Sequence, residues 1–475
     1  MEPIRREWLE TIARHRPNPE RAASERFWAE SLERMSRDEI RALQSEKLRV
    51  AVRYAYASIP FYRRKFDAIG LDPRDVRGVE DLGKIPLTTK GEMAEDLAEH
   101  PPWGTYTAVD DERWLESGWQ IFASSGTTVQ PRIFRYTRFD RDTWAWADAR
   151  ALWAMGFRPG RDSALIAFGY GPHVWLWGVH YAFNLMGIPI LTAGGLDSRT
   201  RARFIERYRP TILCCTPSYA VFLASVLRES GADPAATSVR YLFCAGEPGF
   251  SVPATRRLLE ETWSAELHEF YGCTEAAPCA GGFTCAEVVR RKEGPVSTHL
   301  FEDGQIWETV DPDRFEPTPR GSRGLSVVTN LCSEASPQLR FLVGDFTTLT
   351  DEPCACGRTH ARAIGGFCGR ADDMLNVRGV TLFPASIEDA VRSVPDAGSE
   401  FEIVLTTERS LDVLTVRVEG RDDLPAERFA ALGRRVESEI IRACELRPVV
   451  EILPHGTLPR AEFKAKRVRD LREGG

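Results

Sequence analysis

The spacing of apolar side chains changes along the chain and predicts different structures in different parts. From residue 19 to about residue 67, apolar residues recur mostly at three- and four-residue steps among charged ones, which predicts amphipathic helices. Inside this stretch, Ser36 and Glu39 have the spacing of a capping box, in which the hydroxyl and the carboxylate satisfy free amides at a helix start. We interpret the segment as a packing and positioning element without chemistry of its own.

Between residues 117 and 350, short apolar or β-branched runs alternate with amphipathic stretches. The apolar runs include 164–168, 188–191, 211–215 and 241–244, and helical patterns include 200–208 and 220–230. Alternation of strand and helix predicts an α/β fold with a substantial parallel sheet. Ligands of such sheets usually bind at the carboxyl ends of the strands.

The pattern changes again after residue 373. Strand candidates at 401–406 and 411–418 accompany helix candidates at 384–393 and 425–444, which predicts a compact α+β tail. We therefore predict an α/β protein with a large N-terminal domain at 1–369 and a small C-terminal domain at 370–475.

The composition limits what this protein can be. The chain has 475 residues, 43% of them hydrophobic, and its 62 basic and 69 acidic side chains give a formal net charge of −7. A soluble globular chain of this length can bury several cores, so a small disulfide-stapled scaffold is excluded. The mildly acidic balance, without a long basic block, argues against nucleic-acid partners and against binding to an anionic membrane.

Two segments of the chain bear on targeting and membrane insertion. The N-terminus lacks the apolar core and the cleavage site of a signal peptide, so we expect a cytoplasmic protein. One uncharged window, 174–193, approaches the length of a membrane span. Because it contains His180, Asn184, two glycines and Pro189, we predict a buried helix followed by a strand instead.

The eleven cysteines all follow residue 213, and their odd number argues against a disulfide framework. Cys354 and Cys356 form a C-x-C-G element, and with Cys285 and His299 they could build a closed tetrahedral zinc shell of structural type. His360 is a competing ligand, free thiols are the alternative, and no local signature supports a catalytic Cys/His pair. The other eight are predicted to pack as small apolar groups: Cys214, Cys215, Cys244, Cys273, Cys279, Cys332, Cys368 and Cys444.

A loop rich in hydroxyl groups follows the apolar residues Ile121 and Phe122. Its residues are Ser124, Ser125, Gly126, Thr127 and Thr128. The hydroxyls and amides of such a loop can wrap phosphate oxygens, and the glycine allows close backbone approach. The spacing is not that of a Walker loop, and an ordinary Ser/Thr/Gly turn is the alternative.

This loop resembles the phosphate-binding S-S-G-T-T-G-K-P of adenylate-forming enzymes, and further segments resemble that family in the same order. These are Cys244-Ala245-Gly246-Glu247-Pro248 (G-A-E-P), Tyr271-Gly272-Cys273-Thr274-Glu275 (Y-G-x-T-E), Gly344-Asp345, the hinge 369–375 (G-R-x-D-D-M-L) and Lys464-Ala465-Lys466-Arg467. The segments 59–63, 85–90 and 378–384 are similar to the phenylacetate:coenzyme A ligase branch. The resemblance covers essentially the whole chain.

The resemblance implies a two-step reaction that uses ATP, Mg²⁺ and coenzyme A. A carboxylate attacks the α-phosphorus of ATP to give an acyl-adenylate, and a thiol then displaces AMP, which requires positioning and charge neutralisation more than a protein nucleophile. The small domain rotates about the hinge between the two steps.

The resemblance also implies roles for individual residues. For the nucleotide, Ser124 to Thr128 would contact the phosphates, and Thr274 would contact the α-phosphate. Gly246, Glu247 and Pro248 would contact adenine. Asp345 would bind the ribose, and Tyr271 and Arg370 would also contact the nucleotide. The remaining roles are Glu275 for Mg²⁺, Lys464 as the catalytic lysine, Asp372 as hinge, and Arg378 and Gly379 near coenzyme A. Lys466 is interpreted as structural.

Two departures from the family pattern affect ATP use. Val129 and Gln130 replace the Gly-Lys of the phosphate loop, so a charge is lost although glutamine keeps a donor, and we expect weaker ATP binding. Phe463 stands where the family has glycine, so the backbone approach to Lys464 can differ.

The segments that line the acyl site in the family are aromatic and glycine-rich here. We take Tyr170, His173, His180, Ala245 and Gly272 as contacts of the acid, although the aromatic residues could equally be core. We predict activation of an aryl or arylacetic acid and its transfer to coenzyme A by a monomer or homodimer. Alternatives are transfer to a carrier-protein thiol or an amine, activation of another oxyanion, or a non-catalytic nucleotide-binding relative.

Overall fold

The computed structural model describes residues 3–14, 26–124, 131–291, 296–378, 380–408, 411–460 and 467–472. The chain divides into two compact units. The first unit comprises Met1–Gly195 and Phe270–Gly366, and the second comprises Leu196–Glu269 and Phe367–Gly475. The domain boundary expected at residue 369 stays a prediction.

The first unit begins with the helices expected from the apolar spacing. They are α1 (Pro3–Arg14), α2 (Glu30–Glu33), α3 (Arg37–Ser58), α4 (Pro60–Ile69), α5 (Lys90–Glu99) and α6 (Asp111–Ser117). The capping box is confirmed: the Ser36 side chain accepts from the Glu39 amide, and the Glu39 side chain accepts from the Ser36 amide. Trp8 of α1 stacks on Tyr54 of α3 with ring centroids 5.3 Å apart, which fastens the two helices together.

A hairpin and two parallel strands with their helices follow. The elements are β1 (Gly118–Ala123), β2 (Ile133–Thr137), α7 (Arg138–Ala154), β3 (Ala164–Ile166), α8 (Val174–Met186) and β4 (Ile190–Thr192). Strands β1 and β2 pair antiparallel, and β3 and β4 pair parallel. The uncharged window at 174–193 is therefore a helix followed by a strand, as predicted.

The rest of the first unit is an antiparallel run that the alternating pattern did not foresee. Its elements are β7 (Glu266–Cys273), which starts in the second unit, β8 (Ala277–Phe283), α12 (Ala286–Arg290), β9 (Ser297–Leu300), β10 (Gln305–Val310), β11 (Arg323–Asn330), β12 (Phe341–Thr350) and β13 (Arg362–Ile364). The strands lie in the order β10-β11-β12-β13-β9-β8-β7. His299 of β9 lies opposite Arg362 of β13, so the end of β13 is fixed beside β9.

The second unit contains the other parallel pair. Its first elements are α9 (Ser198–Tyr208), β5 (Ile212–Cys215), α10 (Pro217–Glu229), β6 (Tyr241–Ala245) and α11 (Pro253–Trp263). Strands β5 and β6 pair in parallel from Ile212 opposite Tyr241 to Cys215 opposite Cys244. The strand, helix, strand alternation expected for this region is confirmed, and with it the α/β class.

The α+β tail lies in the same unit. Its elements are β14 (Leu375–Val377), β15 (Val380–Leu382), α13 (Pro384–Arg392), β16 (Ala397–Glu408), β17 (Leu411–Gly420), α14 (Phe429–Cys444), β18 (Val449–Leu453) and β19 (Val468–Asp470). Four strands form a sheet in the order β18-β17-β16-β19. Its core includes Ile387 and Ile440 of the two amphipathic helices and Val416 of β17, all fully buried.

Across the described residues, we find no helix that combines the length and the apolar character needed to cross a membrane.

Candidate active site

The hydroxyl-rich loop connects the two strands of the β1–β2 hairpin. Ser124 is buried, and its backbone N–H donates to the Arg132 carbonyl at 2.9 Å. The Arg132 N–H donates back to the Ser124 hydroxyl at 3.1 Å. The base of the loop is thus closed by a reciprocal pair of hydrogen bonds. The predicted phosphate contacts Ser125, Gly126, Thr127 and Thr128 lie outside the described residues.

Arg132 also holds the carboxylate expected to bind Mg²⁺. Its guanidinium donates to Oε1 of Glu275 from Nη2 at 2.7 Å and from Nε at 3.2 Å. Both side chains are buried, at 8% and 7% exposure, so each compensates the other's charge in a poorly hydrated place. Sequence reasoning missed Arg132, and the only available signal was its position directly after the loop.

The turn that carries Glu275 is supported by a second buried carboxylate, Asp140. Its oxygens accept hydrogen bonds from the Ser333 hydroxyl at 2.9 Å and from the backbone N–H groups of Glu334 at 2.8 Å and Ala335 at 3.1 Å. The same loop reaches the turn through Ser336, whose hydroxyl donates to the Glu275 carbonyl at 2.9 Å. Burial, with the charge of Glu334 next, raises the pKa of Asp140 to about 6.

Other predicted nucleotide contacts of the first unit also meet. Tyr271 at the end of β7 donates its hydroxyl to Oδ2 of Asp345, a mostly buried residue of β12. Thr274 is half-buried, and its carbonyl accepts from the Tyr136 hydroxyl at 2.7 Å. Hydrogen bonds within this unit therefore hold four of the predicted nucleotide contacts in place: Tyr271, Thr274, Glu275 and Asp345.

The segment predicted to contact the acid forms an aromatic row at the start of α8. Tyr170 packs edge-on against Trp177 at 5.4 Å, and Trp177 packs against His180 at 6.3 Å. The Tyr170 side chain is 45% exposed, and His173 is exposed at the N-cap of the helix. Desolvation lowers the pKa of both His173 and His180, so each favours the neutral imidazole. Gly272 is exposed at the end of β7.

The second unit carries the segment expected to contact adenine. Ala245 ends β6, and Gly246 follows with a φ of 91°, a left-handed backbone that favours glycine. Oε1 of Glu247 accepts from the Ser218 N–H at 2.6 Å, and burial raises the pKa of Glu247. Pro248 is exposed.

The hinge and coenzyme A residues lie later in the same unit. Arg370 pairs with Asp373 at 3.7 Å. Asp372 lies in a single 3₁₀ turn, Ala371–Asp373, and its side chain is not among those that the structure describes. Arg378 donates from Nη2 to the Arg447 carbonyl at 2.9 Å. Gly379 and the predicted catalytic Lys464 lie outside the described residues.

The four residues expected to bind zinc come together in the first unit. One ligand atom of each of Cys285, His299, Cys354 and Cys356 lies within 4.8 Å of all the others, and all four side chains are buried. Sγ of Cys285 lies 3.9 Å from Sγ of Cys354, and Sγ of Cys356 lies 3.6 Å from Nε2 of His299. A tetrahedral Zn²⁺ with Zn–S of about 2.3 Å and Zn–N of about 2.0 Å has S–S edges of about 3.8 Å and S–N edges of about 3.6 Å. The residues fit the ion.

The local backbone explains how the C-x-C-G element presents its thiols. Gly357 has a φ of 90°, and its N–H donates to the Cys354 carbonyl at 2.8 Å, which closes a tight turn. Hydrogen bonding from Cys285, with the nearby His299 contributing, lowers the pKa of Cys356, which favours the thiolate that a metal requires. His360 is engaged elsewhere, with Nε2 2.9 Å from the Leu32 carbonyl.

Two protein families match this chain along most of its length. Residues 99–330 match the family described as AMP-binding enzyme, and residues 379–472 match the AMP-binding enzyme C-terminal domain.

Individual relatives match over almost the whole chain. A phenylacetate-coenzyme A ligase of Thermus thermophilus is 36% identical over 458 residues, covering 93% of this chain and 99% of the relative. One from Escherichia coli K12 is 32% identical over 445 residues, covering 93% and 97%. The solved structure of a 2-hydroxyisobutyryl-CoA ligase in the postadenylation state with 2-HIB-AMP has a TM-score of 0.87 and 29% identity, covering 94% of this chain and 93% of that one.

Proposed function

The chain belongs to the phenylacetate-coenzyme A ligase family of adenylate-forming enzymes, and from this premise we propose that the acid it activates is aromatic. As an AMP-forming acid–coenzyme A ligase, it activates a carboxylic acid with ATP through an acyl-adenylate and transfers the acyl group to coenzyme A.

The aromatic row of α8 is the observation that carries the choice of acid. Tyr170, Trp177 and His180 present ring faces and edges in one row, and Tyr170 is exposed enough to meet a ligand. Aromatic side chains favour offset or edge-on contact with another ring. A neutral His180, with Nδ1 lacking a hydrogen-bond partner among the described residues, can donate to or accept from a polar ring substituent.

The nucleotide roles follow from the family motifs and the contacts around them. Asp345 would accept from the ribose hydroxyls, and Tyr271 would orient its carboxylate. Glu275 would bind Mg²⁺ once Arg132 releases it or through Oε2, since both bonds from Arg132 go to Oε1. Mg²⁺ supplies charge neutralisation at the phosphates, while Lys464 would stabilise the charge that develops on the α-phosphate.

A structural zinc ion is the second part of the proposal. Cys285, His299, Cys354 and Cys356 would supply a closed shell without a position for substrate, so the ion would stabilise the fold and take no part in catalysis. It would tie the loop after β12 to the start of α12 and to β9.

Pyrophosphate release with a panel of acids tests the choice of acid. We expect kcat/KM for phenylacetate or a benzoate to exceed that for 2-hydroxyisobutyrate, and we expect product to require coenzyme A. A preference for the hydroxy acid would contradict the aromatic assignment, and product formation on a carrier-protein thiol alone would contradict the acceptor.

A lysine pair tests the catalytic assignment. Lys464→Ala should lower adenylation at least about a hundredfold with little change in ATP affinity, because the lysine acts on charge that develops in the transition state. Lys466→Ala is the matched control and should retain most of the activity. Equal losses in the two variants would contradict the role of Lys464.

A further inference from the structure

A pocket lies in the first unit between the N-terminal helices and α7. Its empty space, which includes open solvent at the mouth, is about 620 Å³, and about 60 Å³ of it can hold the centre of a water molecule. Its apolar walls include Ile12, Trp144, Trp146, Pro278 and Phe301. Thr143 and Ala147 of α7 also line it and are part-exposed, so the pocket reaches solvent on that side. The residues that line it include none of those expected to contact the acid or the nucleotide.

Two buried cations and one buried carboxylate lie in this pocket. Nζ of Lys47 donates to the Asp303 carbonyl at 2.5 Å, and Nη2 of Arg150 donates to Oδ1 of Asp303 at 2.8 Å. All three residues are at most 6% exposed. Asp303 stays ionised, because Arg150 and other neighbouring cations hold its pKa well below the usual range despite burial. One positive charge is left over, and a monoanion would neutralise it.

Three polar atoms of the lining residues have no hydrogen-bond partner among the described residues. They are Nη1 of Arg150, Nε1 of Trp146 and Oγ1 of Thr143. Buried donors are nearly always paired, and all three atoms belong to residues that line one pocket, so an acceptor that occupies the pocket would pair them. A carboxylate offers two acceptor oxygens in a plane, which suits the fork of a guanidinium.

The shape of the walls defines the body of the ligand. Cζ of the Arg150 guanidinium lies 5.0 Å from the ring centroid of Trp146 and 5.0 Å from that of Phe301, and Trp144 adds a third aromatic wall. Such walls favour a flat apolar group next to the cation. We propose that this pocket binds a small aromatic monocarboxylate at a second, non-reacting site, with its carboxylate on Arg150 and Trp146.

Crystals of the full chain soaked with 4-bromobenzoate test the proposal site by site. The anomalous signal of bromine should appear in the pocket, with the carboxylate within hydrogen-bond distance of Arg150. A concentration series should reach half-occupancy there, and titration calorimetry in solution without ATP or coenzyme A should give a site of similar affinity. Ligase activity plays no part in these readings, so their failure would leave the proposed function intact.

Two substitutions remove one unpaired donor each. Trp146→Phe removes the indole N–H in the pocket and should raise the half-occupancy concentration at least about tenfold, as expected for a lost hydrogen bond to a charged group. Trp28→Phe is the matched control, because Trp28 is also buried and its Nε1 also has no hydrogen-bond partner within the described part of the chain, but it does not line the pocket. It should change the concentration less than about twofold.

Thr143→Val provides a second variant if Trp146→Phe folds poorly, since it replaces an unpaired hydroxyl by a methyl of similar size. It too should weaken binding. The proposal would be overturned if the pocket held only ordered water, or an inorganic ion that excludes the acid. It would also be overturned if bromine appeared only elsewhere, or if the Trp146 and Trp28 variants bound the acid with equal affinity.

Discussion

The zinc cluster and the acidic turn at Glu275 are both buried polar sites of the first unit, but they are completed in different ways. In the cluster, one ligand atom of each of three thiols and an imidazole lies within 4.8 Å of the others, and the spacings of 3.9 Å and 3.6 Å match the edges of a metal-centred tetrahedron. At the turn, the acid that would bind a metal is already matched by Arg132 at 2.7 Å.

This difference separates a structural ion from a substrate-bound one. A metal bound in a closed cluster would contribute its binding energy to folding, whereas a carboxylate held by arginine can persist without a metal. If Glu275 takes the proposed role, the turn would stay folded after ATP and Mg²⁺ have left.

Removing one ligand of the cluster should have the largest effect. Cys356→Ser should lower the free energy of unfolding by more than about 5 kcal/mol, because binding energy of the metal is folding energy. Chemical denaturation followed by circular dichroism measures the loss, and metal analysis should find about one zinc per wild-type chain and almost none in the variant.

The matched control is Cys368→Ser, which changes a part-buried thiol outside the cluster. It should keep its zinc and lose little stability. Equal losses for the two variants, or wild-type protein purified without chelator that contains no stoichiometric zinc, would contradict the structural ion.

The ion pair at the turn should come next. Arg132→Met leaves Glu275 buried without a counter-charge and should cost about 3–5 kcal/mol of unfolding free energy. The double variant Arg132→Met/Glu275→Gln should recover much of this, because neither charge remains. Urea denaturation of the four members of the cycle measures the coupling.

Arg135→Met is the comparison for this pair. Arg135 of β2 is buried, as Arg132 is, but its partner Asp111 is 87% exposed and stays hydrated when the guanidinium is removed. It should therefore cost less than Arg132→Met. If the double variant were no more stable than Arg132→Met, the stability lost in Arg132→Met would not come from leaving the Glu275 charge unpaired.

The support beneath the turn should give a pH dependence. Burial raises the pKa of Asp140 to about 6 in the folded protein, against an ordinary value of 3.8 for an aspartate side chain, so folding favours its protonated form. Its contribution to stability is fully present below about pH 4 and is lost as pH rises through about 6, a change of about 3 kcal/mol. Relative to Asp140→Asn, which does not titrate, the wild type should lose stability from pH 4 to pH 7.

The exposed Asp197 at the start of α9 is the control of opposite sign. The Thr200 backbone N–H lowers the pKa of Asp197, so its stabilisation is present at neutral pH and is lost as pH falls. Asp197→Asn should therefore differ most from wild type at neutral pH. A stability difference for Asp140→Asn that is constant between pH 4 and pH 7 would show that this carboxyl does not titrate there.

The cluster could be predicted from sequence and the turn only in part. A C-x-C-G element leaves a visible spacing, and Cys285 and His299 were selected because thiols and imidazoles are the residue types that zinc binds. Arg132 pairs with Glu275 across 143 residues, and an ion pair between distant segments leaves no local pattern.

The fold shows the same limit. The parallel pairs β3–β4 and β5–β6 are continuous apolar runs whose strands were predicted, and so were β16 and β17 of the tail, whereas the antiparallel strands β8 to β13 of the first unit were not. Strand β11 buries Ser326, Thr329 and Asn330 among its apolar residues. The Thr329 hydroxyl accepts from the Arg340 N–H at 3.0 Å, and the Asn330 amide donates to the Ala276 carbonyl at 2.7 Å. Buried polar residues hide the alternation that would reveal such a strand.

The hydrogen bond between Tyr271 and Asp345 should give the smallest effect and test whether the turn is a nucleotide site at all. Tyr271→Phe removes one donor from the carboxylate proposed to bind the ribose, which costs about 1 kcal/mol and should raise the KM for ATP several-fold while kcat changes little. In an Asp345→Asn background the same substitution should have much less effect, because the charged acceptor is gone. A lowered kcat at unchanged KM would contradict a role of Tyr271 in ribose binding. Additive effects of the two substitutions would also contradict it, because a residue that only orients Asp345 acts through Asp345.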